Sequence, residues 1–301
     1  MSDETNPSLD EHAAQRLMTL PRKASPWLNE EIAQRMHARL GWMTKPPKRW
    51  AHWLPSWGGL RAHDAIKDLL AKANGRSAVQ TFIATPGQTP APQSWLTSKL
   101  GEVWQAVSGA DQVWRDTDQR LDMVWANMVL HQQAQPMALL KQWLSMLQVN
   151  GMVMFSALGP DTLRELRHVY AHMGWAQPTH LFTDMHDWGD MLVQCGFAEP
   201  VMDMETLTIS YTNLDKLWAD LRECGRNLHI ARTSHCLGRR WQQQLRAALE
   251  QHLPRDAQGN YVLSVEIIYG HALRPEPRAL VQTQTSVPLA DMQRMLRKPN
   301  V

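Results

Sequence analysis

The apolar positions from residue 29 onward alternate between two spacings. In "NEEIAQRMHARL" (29–40), Ile32, Met36 and Leu40 recur at helical intervals, with acids in the first turn and Arg39 in the last, so this stretch predicts a dipole-matched helix. "RWAHWLP" (49–55) is a short apolar run that predicts a strand, "LRAHDAIKDLLAKA" (60–73) a helix, and "SAVQTFIAT" (77–85) a second strand. "EVWQAV" (102–107), "LDMVWANMVL" (121–130) and "MVMFSAL" (152–158) are further strand candidates. Between the last two, "QPMALLKQWLSMLQVNG" predicts a helix with Pro136 near its start and Gly151 just past its end. Strands alternating with helical crossovers imply a parallel sheet in an α/β fold. Two later stretches, 199–211 and 261–273, are longer and alternate in polarity, which suits an antiparallel pair at a sheet edge.

One stretch invites a chemical reading. "TDMHDWGDMLVQCGF" (183–197) gathers a histidine, three aspartates and a cysteine. Asp184 stands where a helix cap belongs, Asp187 follows three residues on, and Gly196 comes where a helix would stop. His186 and Asp190 would share a helix face, but no third ligand at a recognisable spacing joins them, so no metal site is expected.

Composition narrows the partners. A net charge of +2 over 301 residues, with signs well mixed, gives no field that argues for nucleic acid. Three separated cysteines, Cys195, Cys224 and Cys236, form no CxxC pair and fit a reducing cytoplasm. The polar start lacks an apolar targeting segment and no run is long enough for a membrane span. The fourteen tryptophans are read as bulky core filling. Residues 1–26, with three prolines, read as a flexible tail carrying one short helix around 10–18. Residues 27–275 form the domain, and 276–301 a second tail.

Three motifs in order, "FSALGPDTLRELR" (155–167), "FTDMHDWGDMLVQCGFAEPVMDME" (182–205) and "LDKLWADLRECGRNL" (214–228), together resemble one family, with "LDMVWANMVLHQ" (121–132) similar to its fourth-strand motif. The chain resembles the S-adenosylmethionine-dependent malonyl-acyl-carrier-protein O-methyltransferases of biotin synthesis, over residues 121–228. The resemblance implies a class I, Rossmann-like methyltransferase fold: seven strands, mostly parallel, the last entering antiparallel. It also implies methylation of the free carboxylate of a malonyl thioester, S-adenosyl-L-methionine as cofactor and an acyl carrier protein as partner.

Carboxylate methylation needs no strong base, because the acceptor is already ionised near neutral pH. It needs a clamp, and a guanidinium matches both carboxylate oxygens. Arg164 is the first choice and Arg167 the second; a solvated helix arginine paired with Glu165 or Glu223 is the bland alternative for Arg164. Asn127, Met128 and His131 follow the fourth strand, where open α/β sheets bind ligands, and are expected near the cofactor. Arg222, Arg226 and Asn227 belong to a basic segment, 222–240, suited to docking an acidic carrier protein or, alternatively, a solvated basic helix face.

The first half departs from the family. The spaced glycines and preceding acid expected after the first strand are replaced by "WLPSWGGLRAH" (53–63), leaving Trp57, Gly58 and Gly59 as the cofactor-side candidates. The second strand ends in Ala84 and Thr85 instead of an acid that would accept from both ribose hydroxyls, and Trp27 stands near the place of the family's early tyrosine. Either the cofactor is held differently, by stacking on Trp53 or Trp57, or the fold has been kept as a catalytically degenerate partner-binding protein.

Overall fold

The computed structural model describes residues 8–20, 22–41, 43–75, 78–85, 111–116, 118–233 and 238–277. The strand candidate at 102–107, Cys236 and nearly all of the C-terminal tail lie outside them.

A single sheet organises the chain. Its strands are β1 (Arg49–Trp53), β2 (Gln80–Ala84), β3 (Gln112–Val113), β4 (Leu121–Ala126), β5 (Leu147–Leu158), β6 (Ala198–Tyr211) and β7 (Tyr261–Leu273), in the order β3-β2-β1-β4-β5-β7-β6. The first five pair in parallel, and β7 slots antiparallel between β5 and β6. This is the class I methyltransferase fold. The two stretches at the C-terminal end pair with each other at the sheet edge: the outer strand β6 is exposed on alternate residues, whereas β7, flanked on both sides, is buried along most of its length.

The inner strands are covered on both faces, which is why they read as continuous apolar runs. Trp53, Val124 and Phe155 feed one face, against α5 (Pro136–Met146) and α7 (Met185–Gln194). Trp50, Trp125 and Met154 feed the other, against Ile32 and Met36 of α2 (Trp27–Leu40) and Ile66 of α4 (Leu60–Asn74). Six of the tryptophans, at 50, 53, 57, 125, 143 and 188, are at most 2% exposed, so they fill the core. Trp53 and Trp143 meet edge to face at 5.8 Å.

The N-terminal helix α1 (Glu11–Thr19) is docked: Ala14 and Leu17 join the core, and Arg232 reaches Asp10 at 2.7 Å. The remaining helices are α3 (Pro55–Gly58), α6 (Arg164–His172), α8 (Leu214–Cys224) and α9 (Arg239–His252). The last two lie between β6 and β7 and pack with α6 into a separate apolar cluster.

Two expectations are corrected. The helix beginning at Pro136 stops at Met146, and residues 147–151 already belong to β5. Gly151 is therefore no helix terminator: a Cβ there would lie 2.7 Å from the carbonyl oxygen of Leu121, so the glycine permits close approach to β4. The basic segment 222–240 is not one helix face, because α8 ends at Cys224 and α9 starts at Arg239.

The stretch 183–197 is a helix with built ends. Asp184 accepts from the His186 amide at 2.8 Å, and Gly196 turns with φ +98. Among the described residues no group of three or more His, Cys, Asp or Glu side chains could hold a metal ion, and no helix is long and apolar enough to cross a membrane.

Candidate functional site

Beyond the C-terminal ends of β4 and β5 opens a cleft of about 1010 Å³. Met128 and His131 follow β4, Leu158 ends β5, and the cap of α8 and α9 closes over them with Trp218 and Trp241. Open α/β sheets bind ligands at this edge. The walls are largely apolar; the charged groups come from the cap, while His131, Gln132, Thr179 and His180 line the opposite side.

Four lining residues carry guanidinium groups: Arg222, Arg226, Arg239 and Arg246. Arg246 is engaged by Asp215 at 2.8 Å and Glu250 at 3.1 Å. Arg226 donates to the carbonyls of Arg222 and Gly225, which curls it over the end of α8. Among the described residues, Arg222 and Arg239 have no carboxylate partner and remain available to an anionic ligand. Asn227 also lines the cleft, its amide donating to the Gln177 carbonyl at 2.8 Å and its carbonyl accepting from the His229 amide at 2.9 Å.

Arg164 and Arg167 are elsewhere. The Arg164 guanidinium is held on its own turn by Glu165 at 3.2 Å and Asp161 at 3.4 Å, and it is not part of the cleft wall. Arg167 donates to the Pro160 carbonyl. The paired, solvated reading of Arg164 describes it. Their chemistry suited a carboxylate clamp, but Asp161, Glu165 and the Pro160 carbonyl engage their donors locally.

The turn after β1 is packed against its neighbours. Leu54 adopts a left-handed conformation (φ 51), and the one-turn helix α3 drives Trp57 inward, where its indole N–H donates to the Met128 carbonyl at 2.7 Å. The Arg22 guanidinium lies over the Trp57 ring, 4.0 Å from its centroid. Trp53 packs on Trp143, so neither indole offers a free face, and the stacking expected of them is not available. Under Gly58 lies His52, whose Nε2 would be 2.8 Å from an added Cβ. His52 Nδ1 meets His63 Nδ1 at 3.2 Å, and His63 Nε2 meets Asp111 at 2.9 Å, which is also bound by Lys67 at 2.6 Å. With His63 Nε2–H given to Asp111, His63 Nδ1 accepts from His52. Burial, reinforced by His63, holds the His52 pKa well below its ordinary value.

Asn127 is fully used within the protein. Its amide donates to the carbonyls of Asn29 at 2.8 Å and Gly58 at 2.5 Å, while its oxygen accepts from the Ser156 hydroxyl at 2.6 Å. Met128, with φ 58, and His131 are placed differently: both line the cleft. Burial, with His180 adding to it, pushes the His131 pKa well down. Of the six cofactor-side candidates, only these two therefore reach the open space.

Reasoning from sequence missed Asn29 and Glu30 of α2. Asn29 donates to the Trp57 carbonyl at 2.8 Å, and the Glu30 carboxylate accepts from the amides of Arg61 at 3.1 Å and Ala62 at 3.3 Å. Gly59, with φ +125, brings the backbone to within contact of Ala33 and Glu30. The only signal pointing here was negative: the missing glycine spacing after β1 leaves room for something else to fill the turn.

Comparison with known proteins adds relatives. No family model matches the chain. A malonyl-acyl-carrier-protein O-methyltransferase of Gallionella capsiferriformans is 34% identical over 261 residues, 85% of this chain and 87% of that protein. One from Laribacter hongkongensis is 40% identical over 159 residues, so the matched part of the chain spans about half (52%) of that relative. Among solved structures, the YcgJ protein of Bacillus subtilis aligns with TM-score 0.49 at 10% identity, covering 82% of this chain and 99% of that one.

Proposed function

The chain belongs to the malonyl-acyl-carrier-protein O-methyltransferase family, and on that premise we propose that it methylates the free carboxylate of a malonyl thioester carried by an acyl carrier protein, in biotin synthesis. One observation carries the reading: an apolar cleft at the C-terminal edge of the parallel strands, with the Arg222 guanidinium on its wall and no carboxylate partner among the described residues. An apolar-walled space of this size suits an acyl arm, and a guanidinium suits the carboxylate at its end. The acceptor is ionised near neutral pH, so the protein's task is to orient it and exclude water. Arg222 orients; Leu158, Leu163, Trp218 and Trp241 supply the dry wall. Arg226 and Asn227, at the end of α8, form the part of the rim nearest the carrier.

The family's methyl donor is S-adenosylmethionine, a sulfonium that also carries an amino-acid carboxylate. As folded here, the residues after β1 and β4 do not fit it: Trp57, Asn127 and the first amides of α4 have their polar atoms bound to other parts of the chain. The occupied turn also favours a second reading, a carrier-binding protein without methyl transfer.

The deciding experiment is transfer of labelled methyl from S-adenosylmethionine to malonyl carrier protein, run beside carrier binding. Transfer that is lost in Arg222→Ala supports the first reading. Carrier binding with no transfer supports the second, and neither result would remove both.

A further inference from the structure

The turn after β4 places two neighbouring polar side chains on the cleft wall, His131 and Gln132, and both are buried, at 4% and 5% exposure. They bond to each other, with Gln132 Nε2 lying 3.2 Å from His131 Nε2. Their remaining polar atoms, His131 Nδ1 and Gln132 Oε1, are buried and have no hydrogen-bond partner among the described residues. The same holds for the hydroxyl of Thr179. Its neighbour His180 ties that loop to the turn, donating from Nε2 to the His131 carbonyl at 2.9 Å. None of the other buried, unpartnered side-chain atoms of the described residues belongs to the cleft wall. Buried polar groups are normally paired, so three orphans on one wall of one cavity point to a ligand that pairs them.

The bond within the pair sets what that ligand must offer. Burial keeps His131 neutral, with one ring nitrogen a donor and the other an acceptor. When Gln132 Nε2 donates to His131 Nε2, the free atoms are a donor, His131 Nδ1–H, and an acceptor, Gln132 Oε1. Turning the Gln132 amide over puts the proton on His131 Nε2 and exchanges the two roles. Either way the pair keeps one free donor and one free acceptor. A secondary amide matches that set, since its carbonyl accepts and its N–H donates. A carboxylate or a phosphate does not, because it brings acceptors alone.

We propose that His131 and Gln132, with the Thr179 hydroxyl beside them, form an amide-binding subsite that positions an amide of the arm joining the thioester to its carrier protein. The proposal rests on the malonyl thioester reading above. It divides the cleft by chemistry, with guanidinium groups on the cap side for the charged end and the turn after β4 for a neutral amide.

The test measures binding of two malonyl thioesters to the full chain by calorimetry. The N-acetylcysteamine thioester carries a secondary amide close to its sulfur, and the S-pentyl thioester is an alkyl chain of equal length without one. The readout is the ratio of the two affinities, which cancels any general effect of a substitution on the cleft. Gln132→Met keeps the length of the side chain without its polar atoms, and His131→Phe keeps a ring. Each should move the ratio toward the alkyl thioester by roughly fivefold to thirtyfold, the worth of a neutral hydrogen bond or a pair of them. Thermal denaturation verifies folding, and Gln132→Leu stands in if Gln132→Met does not melt cooperatively. A ratio that fails to move that way in either variant, with both thioesters still bound, overturns the subsite and leaves the functional reading standing. Wild type that binds neither thioester nor malonyl carrier protein overturns the functional reading, and the subsite with it.

Discussion

The indole N–H of Trp57 donates to the backbone carbonyl of Met128 at 2.7 Å, across 71 residues of sequence, so the turns after β1 and β4 form one buried unit. Trp57→Phe keeps an aromatic ring, though a smaller one, and leaves that carbonyl without its donor. An orphaned buried acceptor costs about 1–3 kcal/mol, and the urea midpoint should fall accordingly with an unchanged slope. A midpoint equal to wild type would show that the bond contributes nothing.

Gly58→Ala places a methyl group 2.8 Å from His52 Nε2 and 3.2 Å from the Asn127 carbonyl. Both neighbours are buried and pinned, so overpacking should cost about 1–3 kcal/mol. Gly238→Ala, whose added carbon meets nothing within 4 Å, is the control and should stay near neutral in the same denaturation series.

Arg222→Ala should lower kcat/KM for malonyl carrier protein by roughly tenfold to a hundredfold, the value of one charge-assisted contact, with little change in melting temperature. Arg164→Ala should leave kcat/KM near wild type and cost about 1 kcal/mol, because the Arg164 guanidinium and its partner Asp161 are exposed and screened by solvent, and Glu165 keeps its bonds from Ser264. The reverse ranking would return the clamp to α6.

Stability should fall as the solution is acidified below the ordinary histidine pKa of 6.5. Burial lowers the folded-state pKa of His52, His131 and His180, so below 6.5 the unfolded chain binds more protons than the native one. Stability then rises with pH in that window, by up to about 1.4 kcal/mol per unit for each histidine. Urea midpoints at pH 7.5 and 5.5 measure it; a flat profile would contradict the buried, neutral rings.

Glu165 adds a second acid limb lower down. Burial raises its pKa, but hydrogen bonds from the Ser264 hydroxyl and amide, with Arg164 assisting, outweigh burial and lower it below 4.5. Its contribution is complete above 4.5 and is lost as pH falls through the folded value. Glu165→Gln should flatten that limb of the stability profile.

The sheet was legible because its strands obey simple rules: alternation in β6, where one face meets solvent, and mostly apolar runs in β4 and in the second half of β5, where neither face does. The helix from Pro136 was read too long because no Gly or Pro marks its end at Met146 and the next glycine, Gly151, already lies inside β5. β3, two residues long, leaves no pattern. At the site, Arg222 was found as part of a basic segment, but its place on the cleft wall depends on how the cap folds back between β6 and β7. Glu30 looked like an ordinary first-turn acid of α2. Its partners, the Arg61 and Ala62 amides, are some thirty residues away and carry no side-chain signature.

Residues 212–260 leave the sheet at Tyr211 and return at Tyr261, two positions paired directly across β6 and β7. The ends of this insert are fixed side by side by the longest ladder among the described residues, so changing its length carries only a slowly growing entropic cost. The cleft's arginines ride on a cassette whose attachment points do not depend on its contents. Recognition can thus diversify by replacing the cassette, with the parallel strands and the turn after β1 left unaltered.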